Sequence, residues 1–322
     1  MQTQDHTVYA GIDVAKATLQ LELQGHQAEF ANEPRGLAQL RRKLQSVPHV
    51  HVVCEATGGY ERALVQALHG AKIPVSVTNP AQVRAAAHAK GQRAKTDRID
   101  AALLSEYGRR YQPAPTAANS HSQEQLVALT QWLKQLIQGQ ALAKTQAEHH
   151  QHPFVRRQHS KLMAHLKAQI QAVEAQIHAL LAQDSDLQQR VDCLDKIEGV
   201  GMRTAWMVLA HMPELGRLNR QEAAALAGLA PWTRDSGTMK GMRCIGGGRP
   251  EVRLALYMAS LSTVRCNPVL RSVYQHLRSK QKPPKVALTA VMRRLLIYMN
   301  LQIKASISNS EDNKTERRPK SR

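Results

Sequence analysis

Aromatic side chains are scarce in this chain: 4% of 322 residues, with two phenylalanines among them. That argues against base stacking on rings as its main way of holding a nucleic acid. Cysteine is scarce too. Cys54, Cys193, Cys244 and Cys266 are scattered and form no CxxC pair, which speaks against a zinc ribbon and for reduced thiols in a cytosolic protein. No apolar run approaches membrane-spanning length, and the chain does not open as a signal peptide does. The expected place is the cytoplasm of a cell without organelles, on its nucleoid, with no membrane contact.

Negative charge is in short supply as well. Asp and Glu number 25 against 44 Lys and Arg, a formal charge of +19. From Val252 to Ser310 there is no acidic residue at all. A solvated helix face normally mixes signs, so this span reads as a surface for polyanions. Its Arg253, Arg278, Lys280, Lys282, Lys285, Arg293 and Arg294 are candidate phosphate contacts. At 43% hydrophobic residues the chain is globular, and 322 residues are enough for two or three domains.

The acids that are present fall in a pattern. Asp13 ends the apolar run Val8-Tyr9-Ala10-Gly11-Ile12, and Glu55 ends Val52-Val53-Cys54. Asp97 and Asp100 lie three apart in Lys95-Thr96-Asp97-Arg98-Ile99-Asp100, where Thr96 suits a helix N-cap. Residues three apart share a helix face. Two strand ends and one helix face would aim four carboxylates at one point, about 4–8 Å apart, as metal bridging requires. Hard oxygen donors suit Mg²⁺ or Mn²⁺, and such a cluster runs phosphoryl chemistry on nucleic acids. Lys95 and Arg98 flank Asp97 and join the candidate phosphate contacts.

Periodicity divides the chain into segments 1–115, 116–190, 191–304 and 305–322. In the first, strands are expected at Thr7–Ile12, Thr18–Leu23, Gln27–Ala31, His51–Cys54 and Ile73–Val77. Helices are expected at Gly36–Gln45, Tyr60–His69, about 80–89 and about 96–110. Three meander strands, then helix and strand in alternation, is the order of an RNase H-like sheet. In the second segment Leu126, Leu129, Leu133 and Leu136 step by three and four, as do Leu162, Leu166, Ile170, Val173, Ile177 and Leu180. That predicts a long antiparallel helical hairpin, or a coiled coil between protomers. His149-His150-Gln151-His152-Pro153 between them reads as a solvated hinge rather than a metal site. The third segment opens with Ile197-Glu198-Gly199-Val200-Gly201, which resembles a helix-hairpin-helix turn whose amides approach a phosphate. Leu226-Ala227-Gly228-Leu229-Ala230-Pro231 is a second such turn, with an ordinary tight turn the equal alternative. The tail from 305 is expected to be disordered and basic. The predicted fold class is α/β plus all-α: an RNase H-like (RuvC-like) N-terminal domain, a helical coiled-coil hairpin, and a mostly helical C-terminal domain.

Asp235-Ser236-Gly237 sits in this third segment. A serine beside glycine is usually a loop residue. Here Arg234, Lys240, Arg243 and Arg249 lie close by in sequence, enough to hold a phosphate and stabilise a pentacovalent oxyanion. No Ser-His-Asp order surrounds it, so its activation would come from arginine, metal or a distant carboxylate.

At this point the chain resembles the insertion-sequence 110-type transposases, the Piv-related DEDD group now understood as bridge-RNA-guided recombinases. The resemblance rests on Gly11-Ile12-Asp13-Val14-Ala15-Lys16, Glu55-Ala56-Thr57-Gly58, Asn79-Pro80, Lys95-Thr96-Asp97-Arg98-Ile99-Asp100-Ala101, Ile197-Glu198-Gly199-Val200-Gly201, Ala227-Gly228-Leu229-Ala230-Pro231, Asp235-Ser236-Gly237 and Arg253-Leu254-Ala255-Leu256-Tyr257-Met258, in that order. It implies Asp13, Glu55, Asp97 and Asp100 as Mg²⁺ (or Mn²⁺) ligands and Ser236 as nucleophile, with a phosphoserine link to DNA and a free 3′-hydroxyl. It further implies double-stranded donor and target DNA, a structured guide RNA, and a homo-dimer or homo-tetramer in which carboxylates of one protomer meet the serine of another. Pairing would then read sequence while the protein holds backbone.

Three rivals use the same fold. A RuvC-like junction nuclease with a metal-activated water leaves Asp235-Ser236-Gly237 unexplained. A non-enzymatic binder does not account for four intact carboxylates, and a metabolic kinase or sugar-processing enzyme does not account for the charge.

Overall fold

The computed structural model describes residues 7–92, 96–147, 152–232 and 243–316, with 309–316 as backbone only. The chain divides into two compact units, Met1–Ala118 and Asn119–Arg322.

In the first unit, β1 (Val8–Val14), β2 (Thr18–Leu23) and β3 (His26–Ala31) form an antiparallel meander. The β2–β3 turn is two residues long, Gln24 and Gly25, both at positive φ (52° and 85°), the conformation that matches strand twist in a tight hairpin. Helix α1 (Pro34–Gln45) leads to β4 (Val50–Glu55), and α2 (Arg62–Gly70) leads to β5 (Val75–Thr78). Both strands pair in parallel, giving the order β3-β2-β1-β4-β5. This is the RNase H-like order that the succession of strand and helix signals predicts. Helices α3 (Pro80–Ala89) and α4 (Asp97–Tyr111) complete the unit.

The sheet is covered on both faces. Ala10, Ile12, Leu19, Leu21 and Cys54 pack with Leu40, Leu44, Leu64 and Leu68 of α1 and α2. On the opposite face Val53 packs with Val83 and Ala87 of α3 and Leu103 and Leu104 of α4. That second contact is close. A Cβ on Gly11 would lie 2.0 Å from the Ala101 carbonyl oxygen and 2.4 Å from the Ser105 nitrogen, both backbone. No rotamer change relieves a backbone collision. Gly11→Ala is therefore expected to destabilise the first unit by about 3 kcal/mol or more, read as a lowered urea midpoint. An unchanged midpoint would mean that α4 can lift off the sheet.

The second unit is helical. Helices α5 (His121–Ala147) and α6 (Pro153–Gln183) form an antiparallel pair within one chain, and Pro153 stands in the first turn of α6. They are followed by α7 (Ser185–Asp195), α8 (Met202–His211) and α9 (Arg220–Leu226), then by β6 (Pro231–Trp232) and β7 (Cys244–Ile245). Helices α10 (Pro250–Cys266), α11 (Pro268–Ser279) and α12 (Pro284–Glu316) close the chain. The leucine seam of α5 and α6 is buried only in part. Leu126, Leu133, Leu136, Ile170, Val173, Ile177 and Leu180 join one core with the residues of α7 to α12. Nearer the 148–151 connection, Leu142, Phe154 and Leu162 are exposed. The pair expected as a separate linker thus shares the C-terminal core.

Two further expectations change. Helix α12 runs on to Glu316, past the point at 305 where a disordered tail is expected; residues 317–322 lie outside the described residues. Its stretch Pro284–Ser308 is long and apolar enough to cross a bilayer by length and composition, although the sequence shows no uninterrupted apolar run of that length. Yet Val291, Leu295, Leu296, Met299 and Ile303 are buried in the protein core, so the apolar content of this helix serves packing.

Candidate active site

In the parallel register of β1 and β4, Ala10 lies opposite Val52 and Ile12 opposite Cys54. Strand residues alternate between faces. Gly11, Val53, Asp13 and Glu55 therefore point to the α4 side. One rung past Ile12 and Cys54, Asp13 and Glu55 stand side by side at their strand ends. Both are half-buried.

Helix α4 crosses that face obliquely. A Cβ on Gly108 would meet the Tyr9 ring and Val53, while Ala101 and Ser105 lie over Gly11. Ser105 Oγ donates to the Tyr9 carbonyl at 2.9 Å. At the helix start, Gln27 Nε2 on β3 donates to the Arg98 carbonyl at 3.1 Å. Thr96 caps the helix as expected, its Oγ1 accepting from Ile99 N at 3.3 Å. The first turn, with exposed Asp97 and half-buried Asp100, is held on the β2–β3 side of Asp13, and Glu55 is on its β4 side.

Asp13 and Glu55 share the sheet face that α4 covers, and Asp97 and Asp100 stand in the first turn of that helix. Among the described residues no three His, Cys, Asp or Glu side chains could together hold a metal ion. The donor chemistry still fits a hard divalent cation: all four are carboxylates, and the nearby thiol is no competitor. Burial, reinforced by Glu61 and Glu55, pushes Cys54 up to about 12, so it stays protonated.

Glu61, ahead of α2, is a residue that the strand and helix signals miss. Its Oε2 accepts from Thr57 N at 3.1 Å, Thr57 Oγ1 at 2.9 Å and Gly59 N at 2.9 Å, folding back the turn that leaves Glu55. Burial alone would raise this carboxyl, but hydrogen bonds from its own backbone, Thr57 and Gly59 outweigh that and hold it below the ordinary range. The signal that would have found it is an acid at a helix start just after Gly58-Gly59.

Ser236, Arg234, Lys240 and Lys95 lie outside the described residues. The segment holding Ser236 starts and ends at paired strands, Trp232 opposite Cys244 and Pro231 opposite Ile245. Below the hairpin the two chain paths touch. A Cβ on Gly248 would lie 2.2 Å from Gly228 N, and Arg249 N donates to the Leu226 carbonyl at 2.9 Å. Gly228 and Gly248 both have positive φ, 66° and 60°, so glycine serves both shape and space there.

Two expected phosphate contacts are engaged inside the fold instead. Arg249 donates from Nη1 to Glu214 Oε2 at 2.7 Å and from Nη2 to Glu214 Oε1 at 2.6 Å, a fork that uses its planar geometry. Arg253 donates from Nη1 to the Ala227 carbonyl at 3.2 Å and to the Gly247 carbonyl. Both hold the base of the hairpin. Arg98, Arg243, Arg278, Lys280, Lys282, Lys285 and Arg294 are exposed, and Arg293 is half-buried. Of the two glycine turns, Gly199 serves packing: a Cβ there would meet Thr263 N at 2.7 Å. Gly201 N-caps α8, with nothing within 4 Å of an added Cβ.

The Arg249–Glu214 pair carries a pH signature. Burial would raise Glu214, but the hydrogen bonds and charge of Arg249 prevail and keep it below its ordinary value of 4.5. A carboxyl lowered by folding stabilises above its unfolded pKa and loses that effect as pH falls through the folded one. Glu214→Gln is therefore expected to lower the urea midpoint near neutrality, by an amount that shrinks as pH drops below about 4.5. A difference constant with pH would show that the charge contributes nothing.

Comparison with known proteins gives a consistent result. A family model described as the DEDD transposase of IS110 matches residues 10–152, and one for transposases of the IS116/IS110/IS902 family matches 191–275. The pilin gene-inverting protein of Moraxella bovis is 28% identical over 308 residues, covering 89% of this chain and 93% of the relative. Its counterpart in Moraxella lacunata is 28% identical over the same length and coverage. A Streptomyces coelicolor protein described as the insertion element IS110 uncharacterized 43.6 kDa protein is 31% identical over 127 residues, 39% of this chain and 30% of that one. Among solved structures, T. thermophilus RuvC in complex with Holliday junction substrate is 20% identical, covering 34% of this chain and 100% of that one, at a TM-score of 0.28 that carries no argument.

Proposed function

Because the chain belongs to the IS110 family of transposases and is a DNA-recombining enzyme, we propose that it cuts and rejoins DNA through Ser236, next to a divalent cation that Asp13 and Glu55 would hold and toward which Asp97 and Asp100 would be drawn. The observation that carries this reading is the placement of Asp13 and Glu55 on adjacent parallel strand ends, on the sheet face that α4 crosses with Asp97 and Asp100 in its first turn. A divalent ion bound there supplies charge neutralisation at the scissile phosphate.

The serine step balances as follows. Ser236 Oγ loses its proton and bonds to phosphorus; the P–O3′ bond breaks; the departing 3′ oxygen takes up a proton. The energy of the phosphodiester is conserved in the phosphoserine ester, so attack by another 3′-hydroxyl reseals DNA and frees the serine. Arg253 and the Arg249–Glu214 pair hold the described residues on either side of the Ser236 segment. Exposed Arg243, Arg278, Lys280, Lys282, Lys285 and Arg294 offer phosphate contacts to DNA or RNA. Few aromatics and strong positive charge suit a protein that holds backbone while a guide RNA supplies the sequence reading. The exposed Leu142, Phe154 and Leu162 of the helical pair suit contact between protomers.

The test is covalent trapping: protein, RNA from the element's flanks, Mg²⁺ and end-labelled duplex DNA, resolved on a denaturing gel. A protein–DNA adduct that requires both Mg²⁺ and the RNA supports the proposal. Cleavage without an adduct turns the assignment to a nuclease that uses water.

A further inference from the structure

Two chain exits carry the strand-end carboxylates into loops: Ala15 follows Asp13 by two residues, and Ala56 to Tyr60 follow Glu55. One side chain joins them. Asn32, just past β3, donates from Nδ2 to the Ala15 carbonyl at 3.0 Å and to the Tyr60 carbonyl at 3.2 Å. Its backbone is fixed as well: Asn32 N donates to the Ala17 carbonyl at 2.8 Å, and Ala15 N donates to the Thr18 carbonyl at 2.9 Å. Two carbonyl oxygens facing one end of the amide settle its orientation, since Oδ1 turned that way would meet two acceptors. In the observed orientation Oδ1 is buried and accepts no hydrogen bond among the described residues. The side chain thus tolerates an unsatisfied oxygen in order to hold both exits with its nitrogen.

The second exit is stiffened where Asn32 grips it. Glu61, adjoining Tyr60, binds Thr57 and Gly59 through one carboxylate oxygen. The Tyr60 carbonyl is therefore a firm anchor. A pull through Asn32 acts on the spacing between the Asp13 and Glu55 strand ends, not on a slack loop.

We propose that Asn32 is a positioning residue for the carboxylate pair, setting the separation of the two strand exits and through it the affinity of the site for a divalent cation. The inference rests on the reading of Asp13 and Glu55 as cation ligands. Partners that orient ligands from behind typically change metal affinity about 10–100-fold when removed.

The experiment is Mn²⁺ titration of the full chain by calorimetry or electron paramagnetic resonance, with thermal melts in chelator alongside. Asn32→Ala is expected to bind Mn²⁺ about 10-fold more weakly, while its cation-free Tm stays within roughly 4 °C of the parent. Asn32→Ser keeps one donor and is expected to fall between the two; it decides the matter if the alanine variant does not fold. A purely structural staple would lower the Tm and leave the Mn²⁺ affinity of the folded protein unchanged, which overturns the inference. Asp13→Ala separates the two layers. If Asp13→Ala binds Mn²⁺ as the parent does, the cation reading itself falls and Asn32 falls with it. If Asp13→Ala loses Mn²⁺ while both Asn32 variants keep parental affinity, only the Asn32 inference fails.

Discussion

Ser236→Ala is expected to erase the protein–DNA adduct and to lower strand cleavage by about 10³-fold or more, while binding of DNA and RNA stays within about two-fold. Alanine removes one oxygen and no charge. The phosphate contacts proposed on Arg243, Arg278, Lys280, Lys282, Lys285 and Arg294 remain, and so does the hairpin base held by Arg253 and the Arg249–Glu214 pair. Affinity, dominated by phosphates, should be almost blind to the change; the chemistry should not. The measurement is a labelled-DNA denaturing gel beside a filter-binding isotherm at fixed salt. Cleavage that persists in Ser236→Ala without an adduct would give the reaction to water, and the segment between β6 and β7 would need another role. Loss of binding together with cleavage would instead make Ser236 a contact.

The first unit was the more legible half of the chain. Alternation at Thr18–Leu23 and Gln27–Ala31 and the buried runs ending at Asp13 and Glu55 marked out the strands to within two residues, because the central strands, covered on both faces, read as apolar runs and the edge strand β3, largely exposed, as alternation. The angle of α4 was not legible. It depends on how closely Gly11 and Gly108 let the helix approach Tyr9 and Val53, a contact between residues about ninety positions apart that no local period encodes. Strand alternation put Asp13 and Glu55 on the α4 face, but where the first turn of α4 lies over that face could not be read from the sequence.

Charge misled where partners are remote. Arg249 and Arg253 stand in or beside a span without acids, and read alone they look free for phosphate. Glu214, 35 residues before Arg249, claims one, and backbone carbonyls at Ala227 and Gly247 claim the other. Helix α12 shows a similar limit. Its apolar steps at Leu288, Val291, Leu295, Met299 and Ile303 were all present, but a polar composition after 305 suggested an end that the periodicity did not require.

Mixing two inactive proteins should restore activity. With Asp13→Ala and Ser236→Ala combined in equal amounts before DNA is added, protein–DNA adduct formation is expected to recover to roughly a quarter of the wild-type yield, from no detectable adduct in either alone. The arithmetic follows from a composite site. If carboxylates of one protomer meet the serine of its neighbour, half of randomly assorted pairs contain both variants, and each mixed pair has one intact site and one with neither function. Asp13→Ala is expected to leave its unit folded, because Asp13 is half-buried at a strand end, and a thermal melt of each variant checks that both proteins in the mixture are folded. On the reading proposed above, protomers would assort through the exposed Leu142, Phe154 and Leu162. A site built within one protomer predicts the opposite, since every protomer in the mixture would carry a broken site and no assortment could repair it. No adduct at any mixing ratio, with both variants bound to DNA and RNA, would therefore show that one protomer supplies both Asp13 and Ser236 to each site.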